Sequence, residues 1–276
     1  LAPLAVVVSL MAASGAALGA ARPPGDTRVF AAVPSPGHPE GIAVRDGVVY
    51  VGTHTSAYGN AGHERASRVF RYEHGTGRLI DEVRIEGQDF GRVHGLVGMS
   101  FGPDGRLYVL DRSPPRLLAL DFGMSPPAQT TYATFPDLPR CSAAPPPCAP
   151  SSNPGDSLVD ALVFDAAGGA YVTDVQKATI FRVPPGGGTG EIWFQDPRLD
   201  GPFGVNGIAI EPSGQRVVVA VTISNQPDTA NLGSIYSLPI VGRPGPDDLV
   251  LVHRYAEPFA APDGITFGPA GRLYVA

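Results

Sequence analysis

The sequence predicts an all-β protein of the β-propeller class, on the strength of its composition, a fivefold repeat and the strand pattern inside each repeat. Of 276 residues, 35 are Gly and 30 are Pro, the two poorest residues for helix interiors. Hydrophobic residues reach 43% and charged ones only 17%, enough to bury a sizeable core. The repeat runs through Glu40-Gly41-Ile42-Ala43-Val44, Val97-Gly98-Met99-Ser100-Phe101 and Asp160-Ala161-Leu162-Val163-Phe164. It returns as Asn206-Gly207-Ile208-Ala209-Ile210 and Asp263-Gly264-Ile265-Thr266-Phe267, with units starting 57, 63, 46 and 57 residues apart.

Each unit reads as an antiparallel blade. A Gly-containing turn follows the first run, clearest at 102–105 and 268–271, and leads to a second run around Tyr50, Tyr108, Tyr171, Val217 and Tyr274. Alternating apolar residues, a Gly turn and a β-branched or aromatic run describe a hairpin. Third strands are expected at 68–72, 116–120, 179–183 and 234–238, and fourth strands at 79–85, 130–135, 191–194 and 249–255. Four short strands every 46 to 63 residues match propeller blades, whereas a sandwich needs no such period. About four and a half blades are present, so the pattern anticipates further C-terminal sequence, with six blades expected in the full protein. Residues 28–33 read as a strand awaiting a C-terminal partner.

Residues 1–21 read as a secretory signal peptide, N-terminally incomplete, with an apolar stretch from Leu4 to Leu18 and small residues after it. Gly15, Gly19 and the following Pro23-Pro24 make a transmembrane helix the poorer reading. The propeller domain then spans 22–276, and the protein is expected to be secreted or periplasmic. Cys141 and Cys148 stand seven apart in a Pro-rich loop, where an exported protein forms a disulfide. The net charge of −6, with no basic run, disfavours a nucleic-acid partner.

The residues heading the five inner strands are Glu40, Val97, Asp160, Asn206 and Asp263, four of them bearing oxygen. Strand-start capping accounts for Asp and Asn, but not for Glu40 in the same register. Innermost strands of a propeller surround a channel, so equivalent positions converge. Three carboxylates and an amide oxygen there call for a cation, and hard oxygen donors select Ca²⁺, with another divalent ion as the alternative.

These segments, with Pro39-Glu40-Gly41, Val159-Asp160-Ala161-Leu162, Val205-Asn206-Gly207-Ile208 and Pro262-Asp263-Gly264-Ile265, resemble the regucalcin/gluconolactonase six-bladed propellers. The resemblance covers residues 28–276. It implies that Glu40, Asn206 and Asp263 hold a divalent cation with Asp160 beside it. It also implies hydrolysis of a small-molecule lactone or related ester, with Asp263 the usual candidate base. Asp160 is the second candidate base, and the ligand pattern leaves the choice between them open. The blade-two position is Val97 rather than the catalytic His of the related paraoxonases. A non-catalytic, metal-stabilised binding propeller and a strictosidine-synthase-like scaffold are the alternative readings, and a monomer is expected.

Loops after the second strands should rim the ligand face and bring His54, Tyr58, Asp111, Arg112, Asp174, Gln176, Ser224 and Asn225 near the pocket. Three signals are set aside. Ser100 in Gly98-Met99-Ser100-Phe101-Gly102 lies mid-strand rather than at a strand-to-helix elbow. The run 186–190 lacks the Gly-Lys-Ser/Thr of a phosphate loop. His94 and His253 have no neighbouring ligand in the sequence.

Overall fold

Alternation decides how the strands assemble. In the computed structural model, which describes residues 28–34, 37–55, 65–153, 155–240 and 242–276, the first blade contains β1 (His38–Arg45), β2 (Val48–His54), β3 (Arg68–Glu73) and β4 (Leu79–Arg84). The second contains β5 (Leu96–Phe101), β6 (Leu107–Arg112), β7 (Pro115–Asp121) and β8 (Ala128–Thr134). The third contains β9 (Val159–Phe164), β10 (Ala170–Asp174) and β11 (Thr179–Val183); the short β12 (Gly188–Thr189) intervenes before its outermost strand β13 (Glu191–Gln195). The fourth contains β14 (Phe203–Ile210), β15 (Arg216–Ile223), β16 (Ser234–Pro239) and β17 (Val250–Arg254). A final pair, β18 (Ile265–Phe267) and β19 (Leu273–Val275), begins a fifth. Strands within each blade are antiparallel and in sequence order, while β12 crosses to pair in parallel with β8 of the preceding blade.

Side chains of the middle strands point alternately to the two neighbouring blades, because the period of a strand is two. Leu107 and Val109 pack with Tyr50, Val69, Leu96 and Met99 toward blade one. Tyr108 and Leu110 pack with Val159, Val172 and Phe181 toward blade three. The same division recurs on β15, where Val217, Val219 and Val221 join Tyr171, Ile180 and Trp193. Val218 and Ala220 instead meet Ile265, Phe267, Leu273 and Val275. Each fully buried side chain of this size contributes about 1.5–3 kcal/mol, so the core is a series of wedges between blades.

Successive inner strands β1, β5, β9, β14 and β18 pack side by side, and glycine sets how closely. A Cβ on Gly41 would run into the Val97 carbonyl oxygen, one on Gly98 into that of Asp160, and one on Gly207 into that of Asp263. Glycine directly after the channel-facing residue therefore lets the backbone of the next blade rest against it. Blade three carries Ala161 there, and the Asn206 carbonyl opposite accepts a 2.6 Å hydrogen bond from Thr173 Oγ1.

One predicted strand does not form. Residues 28–34 carry no strand; Ala31 and Val33 instead pack against Val49, Val51, Phe70 and Tyr72 on the flank of blade one, and Tyr72 donates its hydroxyl to the Ala32 carbonyl. The proposed signal segment lies outside the described residues, as does Tyr58.

Gly98→Ala and Gly207→Ala should each lower stability by about 1–3 kcal/mol through backbone overlap between blades. Gly75→Ala, where a Cβ meets nothing within 4 Å, should change stability little. Chemical denaturation of the three variants checks the contrast.

Candidate metal centre and active site in the channel

Each complete blade bulges where its channel residue stands. The pairing of β1 with β2 shifts register between Pro39 and Ile42, and that of β5 with β6 between Leu96 and Met99. The β9–β10 pairing shifts at Asp160 and Ala161, opposite Val172 to Asp174. The β14–β15 pairing shifts between Val205 and Ile208. A bulge adds an unpaired residue and re-aims its side chain. At each of these bulges the channel residue and the residue after it, Gly or Ala, step out of the ladder, and Glu40, Asp160, Asn206 and Asp263 line one channel of about 900 Å³. Val97 lines it too but is buried among the core residues between blades two and three.

The four oxygen-bearing residues feel one another. Burial, then the Asp263 and Glu40 charges, push the Asp160 carboxyl up to about 7, with Arg112 pulling the other way. Glu40 rises through partial withdrawal from water and the Asp263 charge. Asp263 also rises by desolvation, offset by a hydrogen bond from Asn206. Asn206 is 7% exposed, and its Oδ1 is buried without a hydrogen-bond partner. Buried amide oxygens are ordinarily satisfied, so this orphaned atom in an acid-lined channel fits a hard cation. Among the described residues no three His, Cys, Asp or Glu side chains converge tightly enough to hold a metal. The donor set that fits is therefore two carboxylates with the Asn206 amide oxygen, not three carboxylates at once.

The rim separates by what each group is already bonded to. Asp174 is fully buried, pushed up to about 6 by burial, and accepts hydrogen bonds from Ser157 Oγ at 2.5 Å, the Gln176 amide at 3.0 Å and the Leu158 amide at 3.1 Å. It clasps the chain entering β9. Asp111 is fully buried and takes two hydrogen bonds from Arg116 and one from Gln88. Asn225 reaches Ser152 Oγ and Asp200 Oδ2 at 2.6 and 2.8 Å, and Asp200 also receives Ser151 Oγ and the Ser152 amide. These bonds tie blade four to the segment that follows the Cys141–Cys148 disulfide. All three side chains have their polar atoms engaged in bonds that hold the fold, which leaves their predicted role in the pocket unsupported. Ser100 lines the channel, and among the described residues its hydroxyl bonds only the neighbouring Phe101 carbonyl, at 3.4 Å.

His54 and Arg112 behave differently. His54 is buried at the end of β2, with its ring seated where a side chain on Gly95 would stand. Its Nε2 lies 3.4 Å from Arg112 Nη1. Arg112, at the end of β6, is partly buried and interacts electrostatically with Asp160. In the sequence Arg112 stood out only as one residue of a loop. Its signal is that blade two, the one blade with an apolar channel residue, supplies a cation from its next strand.

No protein-family model matches the chain, and no curated protein matches it. Solved structures do. Virginiamycin B lyase from Staphylococcus aureus aligns at 16% identity and TM-score 0.55, over 86% of this chain and 62% of the lyase. A gluconolactonase from Xanthomonas campestris aligns at 15% and 0.50, over 87% and 70%. The calcium-binding protein regucalcin from Agrobacterium tumefaciens aligns at 14% and 0.51, over 86% and 66%. The chain has their β-propeller fold. It spans between 62% and 70% of the length of these three proteins. Among the described residues no helix is long and apolar enough to cross a membrane.

The Asp160 shift has a consequence for stability in chelator. Between about pH 4 and pH 7 the folded chain holds a proton on Asp160 that the unfolded chain has released, so stability falls as pH rises through that window. Asp160→Asn removes this loss. Its stability relative to the parent should increase from pH 4 to pH 7.5, by roughly 2 kcal/mol, measured by thermal unfolding in EDTA.

Proposed function

We propose that the protein is an exported hydrolase of lactones or related esters that depends on a divalent cation, Ca²⁺ by its donor chemistry. The observation that carries the reading is the convergence of Glu40, Asp160, Asn206 and Asp263 from four blades on one channel, with Asn206 Oδ1 buried and unpartnered. The propeller fold shared with gluconolactonase and regucalcin is compatible with it. The Cys141–Cys148 disulfide suits an oxidising compartment.

Glu40, Asn206 and Asp263 would hold the cation. When bound, it would polarise the substrate carbonyl and offset the negative charge that develops on its oxygen. The chain supplies the proton transfers. Asp263 receives the Asn206 hydrogen bond, whereas the Asp160 carboxylate accepts no hydrogen bond among the described residues. Asp160 is thus the uncommitted base: it takes a proton from the attacking water and returns it to the departing ring oxygen. The enclosing strands place apolar Val163, Ala209 and Ile208 along the channel, a wall suited to the carbon skeleton of a small substrate.

Hydrolysis of a panel of γ- and δ-lactones and aryl esters, with and without chelator, tests this. Asp160→Asn should cut kcat by about 100-fold or more with cation binding retained, whereas Asp263→Asn should lose the cation and the activity together. Intact substrates throughout, with a cation that still binds and raises Tm, would leave the binding-propeller reading standing instead.

A further inference from the structure

Buried charges in folded proteins are paired or ligand-bound, because an unpaired one retains the full cost of leaving water. Arg112 departs from that rule. It is partly buried, and desolvation pulls its pKa down. Among the described residues no carboxylate lies within ion-pair distance of it, and the one hydrogen-bond contact of its guanidinium is His54 Nε2 at 3.4 Å. Asp160 attracts it electrostatically from beyond that distance and so occupies none of its donors. Arg116, four residues on, shows the contrast: its Nε and Nη2 are engaged by Asp111 and the Glu86 carbonyl.

The position of Arg112 is fixed from both sides. Its backbone amide bonds the Gly95 carbonyl at 2.9 Å. His54, which bridges to Gly95, backs one edge of the guanidinium, and the rest of its five-donor fork meets no partner among the described residues. A planar fork of this kind, close enough to Asp160 to feel its charge, matches a carboxylate in two-point geometry.

We propose that Arg112, braced by His54 and within electrostatic reach of Asp160, is an anion subsite that selects lactones or esters bearing a free carboxylate. The proposal rests on the hydrolase reading for the identity of the reacting bond, and on the residues around Arg112 for the carboxylate.

The test uses 5-oxotetrahydrofuran-2-carboxylate and its carboxamide, which match in size but differ in charge and in one acceptor oxygen at the group Arg112 would meet. The unsubstituted protein should open the carboxylate lactone with a kcat/KM higher than that for the carboxamide by about 10–100-fold, the value of a hydrogen bond to a charged partner. Arg112→Gln should abolish that preference: activity on both probes falls where the change reaches Asp160, and activity on the carboxylate falls a further factor of about 10–100. Arg112→Lys should retain part of it, which separates charge from folding. Calorimetric binding of the same two probes to the Ca²⁺-loaded protein provides a second readout. If neither lactone is opened but the carboxylate probe binds and Arg112→Gln removes that binding, the subsite stands and the hydrolase reading falls. Equal treatment of the two probes by the unsubstituted protein, or an equal loss on both in the two Arg112 variants, overturns the subsite.

Discussion

The close approach of neighbouring inner strands is the constraint on which the rest of this structure depends. Gly41, Gly98 and Gly207 leave room for a carbonyl oxygen of the following blade, and that room allows the channel residues of successive blades to face one space. A side chain in any of these places would push the blades apart and widen the channel. The bulge beside each glycine does the complementary job: it takes the preceding residue out of the ladder. Packing and chemistry are therefore set by the same two-residue unit, one member made small so that the other can be aimed.

Concentrating acids in that space is costly. Asp160 carries much of the cost, since burial and three carboxylates act on it together. The offsets come from different directions: the Asn206 hydrogen bond lowers Asp263, and Arg112 lowers Asp160. Asn206 brings no charge, yet it both steadies a carboxylate and leaves an oxygen unsatisfied. A purely structural channel has no need of that combination, because an apolar residue like Val97 in the same register is buried without penalty.

Much of the fold was legible in the sequence because a propeller repeats its local rules. The glycine after the channel residue, the turn and the aromatic second strand all recur within short windows, so strand order and the four complete blades could be read directly. The bulges could not be read, since a bulge exists only relative to the register of a partner strand. The predicted strand at 28–33 shows the limit from the other side: alternation alone does not reveal whether a segment pairs or, like Ala31 and Val33, lies against a neighbouring face. At the site, the four channel residues were legible from their shared register. The rim was not, because the side chains that engage Asp111, Asp174 and Asn225 stand up to 73 residues away in the chain. Arg112 escaped notice for the same reason, its neighbours belonging to blades one and three.

Whether Glu40, Asn206 and Asp263 form a cation site is decided by calorimetric titration of the chelated protein with Ca²⁺. One ion per chain is expected, with affinity reduced at least about tenfold when Asn206 is replaced by Leu, since that substitution removes a neutral ligand and leaves every charge in place. Absence of binding, or binding that is indifferent to Asn206→Leu and Glu40→Gln alike, would contradict it.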